Sequence, residues 1–126
     1  MKSSLLIAAS YSLIASAAPV RRLFNTVDTF DDFDAGKCGP VGVIFARGTF
    51  DQGNVGVWVG NIFGEALQDA IPGVVLQGVD EDAYPADLAG YLKEGGSDSG
   101  AKSLAAQVTA YNKKCPDSTI VVTGWR

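Results

Sequence analysis

Val41-Gly42-Val43-Ile44-Phe45-Ala46, followed at once by Arg47-Gly48-Thr49, decides the fold class. The first six residues are apolar without alternation, rich in β-branched types, and bounded by Pro40 and the Arg-Gly turn. A strand that does not alternate is buried on both faces, which is the habit of parallel sheets covered by helices. Two further runs read the same way, Val74 to Val79 and Thr119 to Thr123. Between them the periodicity changes to that of helices. Ile62, Phe63, Ala66, Leu67, Ala70 and Ile71 fall on one stripe, and Pro72-Gly73 ends it. A second stripe runs through Ala101, Leu104, Ala105, Val108 and Tyr111, with Asp98 or Ser99 placed to cap it and Lys113-Lys114 at its C-terminal end. Strand and helix alternating in this order predict an α/β domain of right-handed βαβ units, a three-layer sandwich around a parallel sheet.

Outside this core the chain changes character. Lys2, the apolar stretches Leu5–Ala8 and Leu13–Ala15, and the small residues Ala15-Ser16-Ala17 form the tripartite pattern of a signal peptide over residues 1–17, so secretion is expected. The alternative is a poorly anchored N-terminal helix. The apolar stretch is too short and too serine-rich to span a bilayer. Residues 18–37 read as a propeptide or surface segment, because Asp28, Asp31, Asp32 and Asp34 crowd a stretch of little apolar periodicity. Arg21-Arg22 within it is a possible dibasic processing site.

Composition narrows the function. The 126 residues carry 10 basic and 14 acidic side chains, a net charge of −4, with the basic ones scattered. Nucleic acid is excluded as a partner, since phosphate binding needs clustered Lys and Arg. With no histidine and only two cysteines the common zinc constellations are absent, and no metal or other cofactor is expected. The acidic triplet Asp80, Glu81, Asp82 reads as a solvated loop. In a secreted chain Cys38 and Cys115 read as one disulfide, two buried thiols being the alternative. That bridge ties the start of strand one to the start of strand three. These two strands are then neighbours, strand two lies outside strand one, and the order reverses between one and three. Ligands bind at such a reversal, beyond the carboxyl ends of the strands. Arg47-Gly48-Thr49 and Gly124-Trp125-Arg126 meet there.

Those loops carry a resemblance. Gly42 to Thr49 with Gly53-Asn54-Val55-Gly56 is similar to the Ala-Arg-Gly-Ser/Thr…Gly-Asn-x-Gly segment of fungal cutinases and the related acetylxylan esterases. Val75-Leu76-Gln77-Gly78-Val79 resembles their second strand, and Lys114-Cys115-Pro116-Asp117-Ser118-Thr119 the run into their nucleophile strand. The similarity holds in register from Cys38 to Trp125. It implies a secreted carboxylic ester hydrolase working by a Ser-His-Asp triad, on cutin-type polyester or acetylated polysaccharide, with the serine in a Gly-Tyr/Trp-Ser-Gln-Gly elbow. Gly124 and Trp125 match the first two elbow positions, and Arg126 stands where the nucleophile belongs. The triad is therefore absent, and the sequence reads as a partial hydrolase domain over residues 38–126, truncated after the third strand and inactive. A lost exon or misread splice site would explain this; the alternative is a non-catalytic secreted scaffold or binding protein.

By resemblance Thr49 contributes its hydroxyl and backbone N–H to the oxyanion hole. Arg47 and Asn54 are expected to fix the loop by hydrogen bonds. Trp58 is expected to pack on the sheet or rim the cleft, and Tyr84-Pro85-Ala86-Asp87 corresponds to a loop lining it in the family, a surface turn being the alternative. Ser97, Ser99, Ser103 and Ser118 lie in no elbow sequence and have no histidine to activate them. A folded chain is expected to be monomeric.

Overall fold

A computed structural model describes residues 27–92 and 96–125. The expected signal peptide, the Arg21-Arg22 site and Arg126 lie outside the described residues. Three strands form, β1 Val41–Ala46, β2 Val75–Gly78 and β3 Thr119–Gly124. All pair in parallel, in the order β2-β1-β3 that the cysteine positions imply. Gly42 stands beside Val75 and Ile120, and Val43 beside Leu76 and Val121. Successive rows face opposite sides, which sorts the core into two clusters. Val43, Val74 and Leu76 pack with Leu67 and Ile71 on one side, and Val75 and Ile120 pack with Tyr111 and Cys115 on the other. Helices therefore cover both faces of an α/β-hydrolase-like sheet. No helix among the described residues is long and apolar enough to cross a membrane.

On the first face a π-helical turn, Gly56–Gly60, runs into α1, Asn61–Ala70. The helix is rotated from the expected stripe: Ile62 is 65% exposed and Ala66 and Ala70 face solvent, while Gly60, Gly64, Leu67 and Ile71 face the sheet. Close approach is the cause. A Cβ on Gly64 would come within 2.5 Å of the Phe30 ring, and one on Gly60 within 2.9 Å of Phe45, so only glycine lets the backbone lie this near the aromatics. The helix ends where Pro72-Gly73 predicts, with Ile71 as C-cap and Gly73 at φ 75°.

The opposite face is covered by α3, Asp98–Lys114, preceded by the short α2, Leu88–Leu92. The cap of α3 is neither Asp98 nor Ser99 but Ser97, whose hydroxyl accepts from the Gly100 N–H at 3.1 Å. Ser99 instead donates to the Ala83 carbonyl at 2.6 Å. Lys113 and Lys114 occupy the last turn, as expected. The Cys38–Cys115 disulfide is present, with Cα atoms 5.7 Å apart, and closes a loop of 77 positions just ahead of β1 and β3.

The segment expected to be propeptide or surface has its last ten residues laid along the outer edge of β2. Asp32 N–H donates to the Leu76 carbonyl at 3.0 Å, Gly78 N–H to Phe30 at 2.9 Å, and Asp31 bridges Gln77 antiparallel. Gln77, 1% exposed, accepts from the Phe33 and Asp34 N–H groups and donates to the Asp34 carboxylate at 2.9 Å. The clustered aspartates thus act as hydrogen-bond acceptors. Phe30 and Phe33 supply the apolar contacts, the latter stacked on Tyr111 with centroids 3.7 Å apart.

At β3 the expectation of burial on both faces fails. Val121 and Val122 are exposed, 41% and 49%, because no described element packs against the outer side of that strand.

Candidate active site

Because β1 and β3 are parallel neighbours, the loops that leave them emerge side by side. Trp125 N–H donates to the Ala46 carbonyl at 2.9 Å and carries the ladder one step past the strands. Gly48 lies under the indole, and a Cβ there would meet the ring at 2.7 Å. This contact brings the Arg47-Gly48-Thr49 loop against Gly124-Trp125. Between them and the segment Tyr84–Asp87 lies an open cavity of about 390 Å³. Thr49, Ala86, Asp87, Ser97 and Trp125 are in its wall.

The loop after β1 is held from several directions. Arg47, buried, donates through Nη1 to the Gly53 carbonyl and through Nη2 to the Pro85 carbonyl at 3.1 Å, joining the two sides of the cavity. Its own carbonyl accepts from the Tyr84 hydroxyl at 3.1 Å, and Glu81 stands 3.9 Å from its guanidinium. Asn54 accepts from Phe30 N–H at 2.9 Å and donates to the Phe30 carbonyl and the Asp31 carboxylate. Both residues fix the loop as expected. Asp51 does equal service that the sequence reading missed: its buried carboxylate accepts from Gln52 N–H at 3.0 Å and Val57 N–H at 2.8 Å. A short acidic side chain just ahead of a helical turn was the available signal.

Two non-glycine residues among those described have positive φ, Phe50 at 64° and Ala86 at 50°. They are bonded to each other, Phe50 N–H to the Ala86 carbonyl at 2.8 Å, across the rim of the cavity. Left-handed backbone costs an L-residue about 1–2 kcal/mol, so the rim stores strain that the surrounding hydrogen bonds hold in place.

Thr49 sits between these anchors and makes no hydrogen bond of its own among the described residues, through hydroxyl or N–H. Two free donors on a cavity wall can receive a developing negative oxygen. Tyr84, Pro85, Ala86 and Asp87 line the cavity, as the cleft-loop reading expects. Trp58 does neither thing expected of it: it is 63% exposed and absent from the cavity wall, because the π-helical turn directs it outward. Ser97 reaches the cavity, but its hydroxyl is engaged in capping α3. The acidic loop is ordered by the Asp80 carboxylate, which accepts from Ala83 N–H at 2.9 Å. No group of metal-ligating side chains occurs among the described residues.

Comparison with known proteins places this geometry. The family model described as Cutinase matches residues 37–126. A cutinase of Botryotinia fuckeliana is 42% identical over 94 residues, covering 73% of this chain and 45% of the relative. Cutinase 4 of Emericella nidulans is 39% identical over 120 residues, covering 94% and 52%. Among solved structures, Trichoderma reesei cutinase in complex with a C11Y4 phosphonate inhibitor superposes with a TM-score of 0.69 at 36% identity, covering 82% of this chain and 44% of that one. The chain spans about half the length of the curated relatives it matches.

Proposed function

The chain belongs to the cutinase family, and from that premise we propose that it forms the oxyanion-binding side of a secreted carboxylic ester hydrolase. The observation that carries the reading is Thr49: an unengaged hydroxyl and N–H on the wall of a cavity whose other rim is Gly124-Trp125. Acyl transfer develops charge on the carbonyl oxygen, and preorganised donors stabilise that charge without reorganising. Arg47, Asp51 and Asn54 supply the preorganisation. The substrate class is an ester of cutin-type polyester or acetylated polysaccharide, with residues 1–17 as the export signal.

The 126 residues contain no histidine, and Arg126 follows Trp125. An arginine stays protonated and cannot attack a carbonyl, and the 126 residues hold no imidazole to accept a serine proton as the Ser-His-Asp mechanism requires. As a polypeptide of this sequence alone the chain is therefore inactive towards esters, and hydrolysis by the protein requires a Ser-His-Asp set beyond these residues. The second reading is a non-catalytic secreted scaffold or binding protein that uses the same cavity.

The test is p-nitrophenyl butyrate hydrolysis by protein expressed from its complete gene, with a serine-reactive phosphonate as titrant. Thr49→Ala is expected to lower kcat by about 10²-fold, the cost of one oxyanion donor, while labelling remains stoichiometric. A protein that neither turns over nor labels supports the scaffold instead. Unchanged kcat in Thr49→Ala removes Thr49 from the oxyanion hole.

A further inference from the structure

The peptide units that join Arg47, Gly48, Thr49 and Phe50 decide where the Thr49 N–H is aimed, and each is held from outside. The Arg47 carbonyl, in the first unit, accepts from the Tyr84 hydroxyl at 3.1 Å. The Gly48 carbonyl, in the second, accepts from the Asp51 N–H at 3.2 Å. The Phe50 N–H, in the third, donates to the Ala86 carbonyl at 2.8 Å. The Thr49 N–H belongs to the second unit and points away from the Gly48 carbonyl, as in any trans peptide. Between the first unit and the second lies Gly48, and glycine turns more freely about its backbone bonds than any other residue. The plane ahead of it therefore needs a firm hold, and the Tyr84 hydroxyl supplies one. Tyr84 is itself anchored on α3: its half-buried ring lies against the first turn, where a Cβ on Gly100 would come within 2.6 Å of it. The Ser99 hydroxyl fastens the preceding carbonyl, that of Ala83, at 2.6 Å. Tyr84 thus runs as a strut from a 17-residue helix to the loop that carries Thr49, along the cavity wall. Ring packing on Gly100 would be served equally by phenylalanine; only the hydroxyl reaches the Arg47 carbonyl.

Building on the hydrolase reading, we propose that Tyr84 is a positioning residue of the oxyanion hole, its hydroxyl orienting the Thr49 N–H through the Arg47 carbonyl. A donor stabilises a developing oxyanion only if it is already aimed when the charge appears. Tyr84 touches no reacting atom. Its contribution is to keep the Arg47–Gly48 plane from turning, so that the next N–H stays in place. The ground-state ester gains little from this hold and the transition state gains most, so the residue acts on kcat more than on KM.

The experiment compares wild type, Tyr84→Phe and Ser99→Ala, each expressed from the complete gene, in p-nitrophenyl butyrate hydrolysis. Sites are counted by phosphonate titration, so that kcat refers to correctly folded sites alone. Tyr84→Phe is expected to keep its titratable sites and to lose about fivefold in kcat, the factor equivalent to one neutral hydrogen bond, with KM within about twofold of wild type. Ser99→Ala loosens the same segment at its other end without touching the Arg47 carbonyl, and should keep the wild-type kcat per site. Amide relaxation gives a readout that needs no turnover: exchange broadening at Gly48 and Thr49 should appear in Tyr84→Phe and not in wild type. An unchanged kcat per site in Tyr84→Phe, a loss confined to the number of sites, or an equal loss of kcat in Ser99→Ala would overturn the proposal. So would Gly48 and Thr49 amides that are the same in Tyr84→Phe as in wild type. Failure of the hydrolase reading is read separately, from a wild type that is not labelled by the phosphonate.

Discussion

Along β2 the segment Asp28–Lys37 covers the sheet edge with backbone hydrogen bonds, three aspartates and the buried amide of Gln77, whereas along β3 the outer backbone groups and two valines face outward. Both edges belong to one parallel sheet and both border the same central strand. The difference is chemical. An edge strand offers a row of donors and acceptors that must be paired or protected. At β2 the protecting segment is polar where it meets the backbone and aromatic where it meets the core, so it seals without needing a further strand. At β3 the residues are those of an interior strand, Ile120, Val121 and Val122, and the edge remains suited to pairing.

The largest effect expected is on the tie between the two sides. Replacing Cys38 and Cys115 by serine removes a closed loop of 77 positions and should lower stability by about 4 kcal/mol, read as the urea midpoint. A loss below about 1 kcal/mol would mean that the strand pairing and the core hold β1 and β3 together unaided.

Next comes the sealed edge. Gln77→Leu preserves the bulk of the side chain but leaves the Phe33 and Asp34 N–H groups and one Asp34 oxygen without their partner. A cost of about 1–2 kcal/mol follows from leaving these part-buried polar groups without a partner. Hydrogen exchange should rise at Phe33 and Asp34 before it rises in β1. Uniform exchange along the chain would break the picture of a separately sewn edge.

The smallest effect is expected at the open edge. Val122→Lys should change stability by no more than about 0.5 kcal/mol, because half of that side chain is already in solvent. Its consequence is association: in place of the monomer expected from the sequence, the 126-residue polypeptide should self-associate through the exposed β3, and the lysine should return it to monomer on size exclusion. A wild-type polypeptide that elutes as a monomer would show that the exposed edge is inert.

Much of this architecture is legible in the amino-acid sequence. Apolar runs without alternation marked the strands, and β1 begins and ends where Val41 and Ala46 predicted. The positions of the two cysteines implied the order β2-β1-β3 and the reversal at which Thr49 meets Trp125. These features follow from local composition, chain order and one covalent constraint, so they survive translation from one dimension to three. The resemblance of the loop motifs added Thr49, whose type alone says nothing.

Other features arise only when distant residues meet. Helical periodicity supplies a period but not a phase: Gly60 and Gly64 turn α1 towards Phe45 and Phe30, and leave Ile62 outside, because close backbone approach outweighs the burial of one larger side chain. Asp32 reads as a surface acid until Leu76, 44 positions away, donates to it. Phe50 reads as an ordinary apolar residue until its φ and exposure are known together. What the sequence by itself determined was which segments are strands and helices and which of them are neighbours, since pattern and connectivity are written along the chain. What the tertiary structure decided was which face each segment turns inward and which polar groups find partners, since those depend on contacts across dozens of residues that no local pattern encodes.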